Sequence, residues 1–92
     1  MKSSKKLAIY RIFQEALSNA IRHGNKSHIQ VDISIVDFVF KLEVSNTFTG
    51  KADEWRQGLG LTSMKNRALS IGAEIDLSSI NSLYRVVLQV KI

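Results

Sequence analysis

Three polar side chains with functional chemistry are spaced four residues apart. Glu15, Asn19 and His23 form one line along a helix, because residues four apart are neighbours on a helical surface. The oxygen of Asn19 is the kind of ligand that Mg²⁺ takes, and Glu15 can act as a general base or hold water beside an ion. His23 can contact a phosphate or serve as a cation at the end of the helix. For Asn19, the alternative is an ordinary solvated side chain.

A second candidate site is the sequence Gly58-Leu59-Gly60, which immediately precedes an amphipathic segment. Glycines let a backbone approach a ligand closely, and the first N–H groups of a helix are unpaired and attract anions. The pattern is therefore suited to holding phosphate, although glycines spaced in this way before a helix more often form just a tight turn. It is neither a P-loop nor a dinucleotide-binding fingerprint, because the residues that those motifs require do not follow.

Two helices are needed to position these residues. Apolar spacing predicts the first over residues 5–23, ended by Gly24. The second follows the glycine pair, with Thr62 or Ser63 as its N-cap and Gly72 at its end. The apolar face of the first helix consists of Ile9, Ile12, Phe13, Ala16, Leu17, Ala20 and Ile21.

Alternating apolar residues predict four strands, over residues 29–35, 38–44, 73–78 and 84–92. The first two strands are joined by a turn at Val36-Asp37 and the last two by a turn at Asn81-Ser82, so each pair should form an antiparallel hairpin. With two amphipathic helices to cover one face, the order predicts an α+β fold. We expect a two-layer α/β sandwich whose mixed, mostly antiparallel sheet has both helices on one face.

Two stretches show no usable periodicity. Residues 25–27 are predicted to be a short polar connection, and residues 46–57 a loop long enough to suggest function. Trp55 lies in that loop, and we expect it to fold onto its own domain.

Composition limits the functional classes. The 92 residues suffice for one domain, spanning 1–92, and the absence of cysteine excludes disulfides and thiolate metal sites. No apolar run is long enough to cross a bilayer and no signal peptide is recognisable, so the default compartment is the cytoplasm. The net charge of +5 suits either solubility or an anionic ligand, and no nucleic-acid-binding motif is present.

Two segments resemble a known family. The sequence YRIFQEALSNAIRHG resembles the N box of the ATP-binding domain of sensor histidine kinases, in the GHKL or Bergerat-fold superfamily. The sequence GLGLTSMKNRALSIGAEIDLSS resembles the second glycine box of the nitrate-sensor-like and thermosensor-like subfamily, with Met64 and Arg67 at the matching spacing. Together the similarity spans almost the whole chain.

The resemblance implies roles for the polar line. Asn19 would bind Mg²⁺, Glu15 would polarise the phosphoacceptor or a water molecule, and His23 would lie near the phosphates of ATP.

The resemblance also implies that the glycine pair surrounds the phosphates. Gly58 and Gly60, with the backbone of Leu61, would hold the phosphates, and residues 51–57 would form a short lid.

The first glycine box departs from the family pattern. The family has Asp-x-Gly-x-Gly, in which the aspartate accepts a hydrogen bond from the adenine amino group, where this chain has residues 46–50 ending at Gly50. Asn46 can still accept that bond without charge, at a cost of about 1 kcal/mol or roughly five-fold in affinity. Phe48 replaces the first glycine and can pack on the adenine. Val86 and Val87 stand near the position of the family's Gly-Thr pair.

The function implied by the resemblance is that of a protein-histidine kinase catalytic domain. It would use ATP and Mg²⁺ to present the γ-phosphate to a His on an upstream dimerisation domain, with a response regulator downstream. Without that domain the fragment would not autophosphorylate. We expect no contact with nucleic acid or membrane, and a cytoplasmic location, including the cytoplasmic part of a membrane-bound sensor. The alternatives are a nucleotide-deficient pseudokinase or docking module, and a serine kinase of the anti-sigma type.

Overall fold

The computed structural model of the protein describes residues 2–48, 61–80 and 82–92. Two helices and four strands lie within these ranges: α1 Ser3–His23, β1 Gly24–Val36, β2 Val39–Phe48, α2 Leu61–Ser70, β3 Glu74–Ile80 and β4 Leu83–Lys91.

The four strands form one sheet in the order β1-β2-β4-β3. Each hairpin is antiparallel, and β2 pairs antiparallel with β4 in the centre, from Val39 opposite Lys91 to Thr47 opposite Leu83. The α+β sandwich predicted from the sequence is confirmed. The described strand pairings are all antiparallel, so this part of the sheet is not mixed.

Both helices cover the same face of the sheet, and the core lies between the two layers. The buried apolar side chains come from the two helices and the two central strands, β2 and β4. They are Ile12, Ala16 and Ala20 of α1, Leu42 and Val44 of β2, Met64 and Ala68 of α2, and Tyr84, Val86, Leu88 and Val90 of β4. On the opposite face, where alternate residues of the central strands point, Arg85 Nε lies 3.7 Å from Glu43 Oε2.

The first hairpin turns at Asp37 and Phe38, one residue later than the sequence predicts. Both residues have positive φ, 52° and 64°, and Val36 pairs with Val39 across them. Positive φ at both central positions defines the two-residue turn that matches the natural twist of paired strands. The prediction that Phe38 begins a strand and joins its apolar face is wrong, because Phe38 stands in the turn with 77% of its surface exposed.

The second helix ends as predicted, at Gly72. The φ of Gly72 is +68°, the N–H of Ala73 donates to the Ala68 carbonyl at 2.9 Å, and the N–H of Gly72 donates to Leu69 at 3.1 Å. This is the Schellman arrangement that satisfies the last carbonyl groups of a helix.

The start of this helix is not as predicted. Because α2 already begins at Leu61, Thr62 and Ser63 lie inside its first turn and do not precede it as N-caps. The preceding residue, Gly60, lies outside the described residues.

Strand pairing extends into two stretches that the sequence predicts to be irregular. β1 includes residues 25–27, and β2 continues through residues 46–48. The reason is a long-range pairing of Gly24 with Phe48, reached through an irregularity in the ladder between Gly24 and Ile29. The backbone hydrogen bonds of the sheet thus outweigh the absence of strand periodicity in these two stretches.

Candidate functional site

Asn19 is completely buried in the second half of α1, with 0% of its surface exposed. The alternative of a solvated side chain is therefore wrong. A buried carboxamide is stable only where it is hydrogen-bonded, and the Asn19 Oδ1 atom accepts a bond of 3.1 Å from Nη2 of Arg22. The side chain is thus a polar group held in place at the margin of the core.

The polar line predicted along the first helix lies on α1. Glu15, one turn before Asn19, is half-buried. His23 is the last residue of α1, but its side chain lies outside the described part of the molecule. The structure therefore places the backbone of all three residues on one helix and describes the side chains of the first two.

Asn46 is the second fully buried carboxamide, with 1% of its surface exposed. It lies on β2 between Ile29 of β1 and Tyr84 of β4. By strand alternation Asn46 is on the helix-covered face, where Val44 also lies.

The orientation of the Asn46 amide is set by a local hydrogen bond. Its Nδ2 atom donates to the carbonyl oxygen of Thr47 at 3.0 Å. The side-chain nitrogen is thereby engaged, and Oδ1 is the end that can accept a hydrogen bond from a ligand.

The glycine positions divide between described and undescribed parts of the chain. Gly50, Gly58 and Gly60 lie outside the described residues, as does the predicted lid over 51–57. Leu61 opens α2, and only its backbone is described.

The two residues that complete the second glycine box are both on α2. Met64 is a core residue with no exposed surface, and Arg67 is half-buried in the last turn of the helix. The box therefore anchors the start of α2 to the core through Met64.

Arg22 is the site residue that the sequence did not predict. Its guanidinium reaches back three residues to Asn19. The i, i+3 spacing was the available signal, but it does not say which of several neighbours a long side chain contacts.

The described residues form no ready-made metal cluster. Within residues 2–48, 61–80 and 82–92, no three His, Cys, Asp or Glu side chains converge on a common point. A cation here would have Asn19 Oδ1 as a protein ligand, with its other positions left to water or to a bound phosphate. That arrangement suits Mg²⁺, which keeps several waters and binds few protein oxygens.

Two grooves on the described surface lie elsewhere. An apolar groove of about 410 Å³ runs between the first half of α1 and strands β1 and β2, and includes Tyr10, Ile33 and Ile35. A second groove of about 360 Å³ includes Lys5 and Lys91. Neither of these two grooves includes Glu15, Asn19 or Asn46.

A protein-family model matches almost the whole chain. Residues 4–92 match the family described as histidine kinase-, DNA gyrase B-, and HSP90-like ATPase. The chain belongs to this family. The resemblance of its two boxes to those of sensor histidine kinases is thereby confirmed at the level of the superfamily.

Sequence relatives agree with this assignment. Sensor protein VraS of Staphylococcus aureus is 36% identical over 74 residues, which is 78% of this chain and 21% of the relative. The corresponding protein of Staphylococcus epidermidis is 35% identical over the same length. The chain thus spans about a fifth of the length of the curated relatives it matches.

Solved structures share the fold. The blue-light activated histidine kinase EL346 of Erythrobacter litoralis superposes with a TM-score of 0.81 over 99% of this chain and 31% of that protein, at 16% identity. Histidine kinase AdeS of Acinetobacter baumannii superposes with a TM-score of 0.75 over 91% of this chain and 45% of that protein, at 19% identity. The catalytic domain of histidine kinase ThkA superposes with a TM-score of 0.74 over 92% of this chain and 65% of that protein, at 14% identity. The chain therefore shares the fold of these histidine kinases, in addition to its membership of the ATPase family.

Neither of the two described helices is both long enough and apolar enough to span a membrane.

Proposed function

We propose that this chain is the ATP·Mg²⁺-binding catalytic domain of a two-component sensor histidine kinase. It would position the γ-phosphate for transfer to a His on an upstream dimerisation domain. The observation that carries the proposal is the fully buried carboxamide of Asn19 in the second half of α1, in a chain that matches the ATPase family from residue 4 to residue 92.

Mg²⁺ would be held through Asn19. Its amide oxygen is a hard donor, and the half-buried carboxylate of Glu15 one turn away can hold a water ligand or polarise the phosphoacceptor. When bound, Mg²⁺ supplies neutralisation of the charge on the phosphates. The work of the protein is then to position the reactants and to exclude competing water.

Adenine would be recognised by Asn46. Since its Nδ2 atom is engaged by the Thr47 carbonyl, its Oδ1 atom is oriented to accept a hydrogen bond from an exocyclic amino group. A neutral acceptor forms a weaker bond than a carboxylate, by about 1 kcal/mol, so adenine binding should be modest.

The phosphates would lie at the start of α2. The N–H groups at the beginning of a helix attract anions, and the family resemblance assigns Gly58, Gly60 and the backbone of Leu61 to this role. His23 and Gly50 are proposed as further contacts to the nucleotide.

The wider context follows from the same proposal. Residues 1–92 would act as one ATP-binding domain, on the cytoplasmic side of any membrane in which the intact sensor is embedded. Its partners would be the phosphoacceptor domain of the same protein and a downstream response regulator. Contact with nucleic acid is not part of the proposal.

A second candidate is a nucleotide-deficient docking module of the same fold. Two observations favour it: Asn46 is uncharged, and Arg22 engages the oxygen of Asn19. A serine kinase of the anti-sigma type remains a prediction from sequence.

Calorimetric titration with a non-hydrolysable ATP analogue, with and without Mg²⁺, tests the proposal. We expect saturable binding of one analogue per chain that tightens with Mg²⁺, because Asn19 would hold the metal, which would neutralise charge on the phosphates. The variant Asn19→Ala should lose this Mg²⁺ enhancement. It should also lower the free energy of unfolding by about 1–2 kcal/mol, since it removes a buried hydrogen-bonded group. Thermal unfolding of each variant checks that it is folded.

The matched control is Gln14→Ala, which removes an exposed carboxamide from the same helix. It should bind as the wild type does. Absence of wild-type binding at millimolar analogue would support the docking module instead. Mg²⁺ enhancement that persists in Asn19→Ala would remove Asn19 from the site.

A further inference from the structure

The outer side of strand β1 is an open edge of the sheet. β1 is the first strand in the order β1-β2-β4-β3, and no described strand pairs with it on that side. Proteins usually protect such an edge with lysine, proline or a bulge. Residues 29–36 contain no lysine and no proline, and their ladder with β2 is regular from Ile29 to Val36. This stretch is therefore open to pairing with another strand.

The backbone groups that point outward belong to the odd-numbered residues of this stretch. Val36 and Val39 flank a two-residue turn, so they form a hydrogen-bonded pair, and every second residue before Val36 likewise bonds to β2. The N–H and C=O groups of the residues between them point away from β2. These residues are Val31, Ile33 and Ile35.

The same residues form an exposed apolar surface on the helix-covered face. Ile33 lies opposite Leu42 in the ladder, and Leu42 is part of the core. Yet 63% of the surface of Ile33 and 60% of that of Ile35 are exposed. Both line the apolar groove together with Tyr10 of α1, which is itself 55% exposed. A continuous apolar surface of this kind marks an interaction site.

The sequence of β1 is complementary to itself in one antiparallel register. When Ile33 lies opposite its own counterpart in a second copy, Val31 lies opposite Ile35, and apolar side chains meet along the helix-covered face. On the other face Asp32 lies opposite Ser34, whose hydroxyl can donate to the carboxylate. Centring the pairing on Asp32 instead would place two carboxylates opposite each other, which is unfavourable.

We propose that β1 docks a second copy of this chain by antiparallel pairing of residues 30–36, so that the two sheets join and the two apolar grooves close against each other. At 3.3 Å per residue the paired stretch is about 23 Å long. With the neighbouring side chains of α1 it buries on the order of 1,000 Å² in total, at the lower end of the range for specific interfaces. The dimer is therefore reversible, and its interface includes none of the residues assigned to ATP or Mg²⁺.

Sedimentation equilibrium of residues 1–92 without nucleotide tests the proposal. The chain is loaded from about 5 to 500 µM, a range that covers micromolar dissociation constants. We expect the mean mass to rise from that of a monomer towards that of a dimer. Amide hydrogen exchange by NMR at both ends of the range then identifies the paired groups. The N–H groups of Ile33 and Ile35 should exchange more slowly at high concentration, whereas those of Asp32 and Ser34 already bond to β2 and should change little.

Two lysine variants locate the interface. Ile33→Lys places two like charges opposite each other at the centre of the pairing, so the dissociation constant should rise by at least about tenfold. Because Ile33 is mostly exposed in the monomer, this variant should remain folded, which thermal unfolding checks. Ser34→Lys is the matched control. It adds the same charge on the other face, beside Asp32 of the second copy, and should dimerise at least as tightly as the wild type.

Three results would overturn the proposal. A monomer over the whole concentration range would leave the edge to a strand of a different protein. A dimer that is equally tight in Ile33→Lys would have its interface elsewhere. Equal weakening by Ile33→Lys and Ser34→Lys would contradict the register. These measurements contain no nucleotide, so they are decisive whether or not the chain binds ATP.

Discussion

The two side chains that define the site are both carboxamides inside a largely apolar layer. Asn19 and Asn46 are 0% and 1% exposed, close to the values of the core residues around them. Burying an amide is unfavourable unless its polar atoms are bonded, so such residues contribute less to stability than an apolar side chain of equal size. The proposed function accounts for both residues as contacts to the nucleotide and its metal ion.

The proposed contact between Asn46 and adenine can be tested by adding a negative charge at this position with Asn46→Asp. A carboxylate accepts a stronger hydrogen bond from an amino group, so we expect about fivefold tighter binding of the ATP analogue by calorimetry. The same change replaces the donor that contacts the Thr47 carbonyl. The free energy of unfolding should therefore fall by about 1–3 kcal/mol in urea denaturation.

Asn66→Asp is the control. It introduces the same charge at an exposed position on α2. It should leave both measurements close to those of the wild type. If Asn46→Asp binds the analogue no more tightly than Asn66→Asp, Asn46 does not accept from the base.

At the scale of single residues, helical spacing was enough to predict that Glu15 and Asn19 share one line. It could not predict that Asn19 is fully buried, since burial depends on the sheet that packs against α1. It also could not predict the Arg22 contact, because the rotamer of a long side chain is chosen by its three-dimensional surroundings.

Among the elements, β2 positions the candidate site most firmly. It is paired on both sides, with β1 and with β4, and these pairings continue past Asn46. A side chain on such a strand is held more precisely than one on a loop. The proposed contact to adenine therefore comes from the centre of the sheet and not from the predicted loop.

The turn between β1 and β2 carries strain that a substitution can relieve. Phe38 adopts a φ of 64°, which costs a residue with a side chain about 1–2 kcal/mol. Phe38→Gly should raise the free energy of unfolding by about 0.5–1 kcal/mol, because glycine adopts this φ freely but loses more entropy on folding. The bond from the Ile92 N–H to the Phe38 carbonyl uses only backbone and should remain.

Phe38→Ala separates this effect from loss of the exposed ring. Alanine still carries a side chain at a positive φ, so this variant should not raise the free energy of unfolding measured by urea denaturation. Equal stabilisation by alanine and glycine would show that the ring, and not the backbone, destabilises the turn.

Periodicity predicted every described helix and strand but misplaced several ends. The hairpins and both helices follow from alternation and from helical spacing, which are local properties. Residues 25–27 were assigned to a connection because they are polar, and residues 46–48 to a loop because no periodicity is visible there. Their strand conformation comes from the pairing of Gly24 with Phe48, which joins positions far apart in the chain.

At the scale of the whole molecule, the order of strands is what brings the halves of the chain together. β2 and β4 pair in the centre, so the hairpin that carries Asn46 lies beside the hairpin that follows α2. Local sequence patterns predict hairpins but not how two hairpins join. The sequence analysis predicted no order for the four strands, and the fold that contains this order is shared with histidine kinase structures.

The central claim is that α1, β2 and the start of α2 together bind ATP·Mg²⁺. The most direct test is to map the binding of a non-hydrolysable ATP analogue with Mg²⁺ on the backbone amide NMR signals of the domain. We predict saturable shifts that cluster in residues 15–23, around Asn46 and at the start of α2. The opposite face of the sheet, around Lys41 and Arg85, should stay unchanged. Shifts confined to that opposite face, or none at millimolar analogue, would contradict the account.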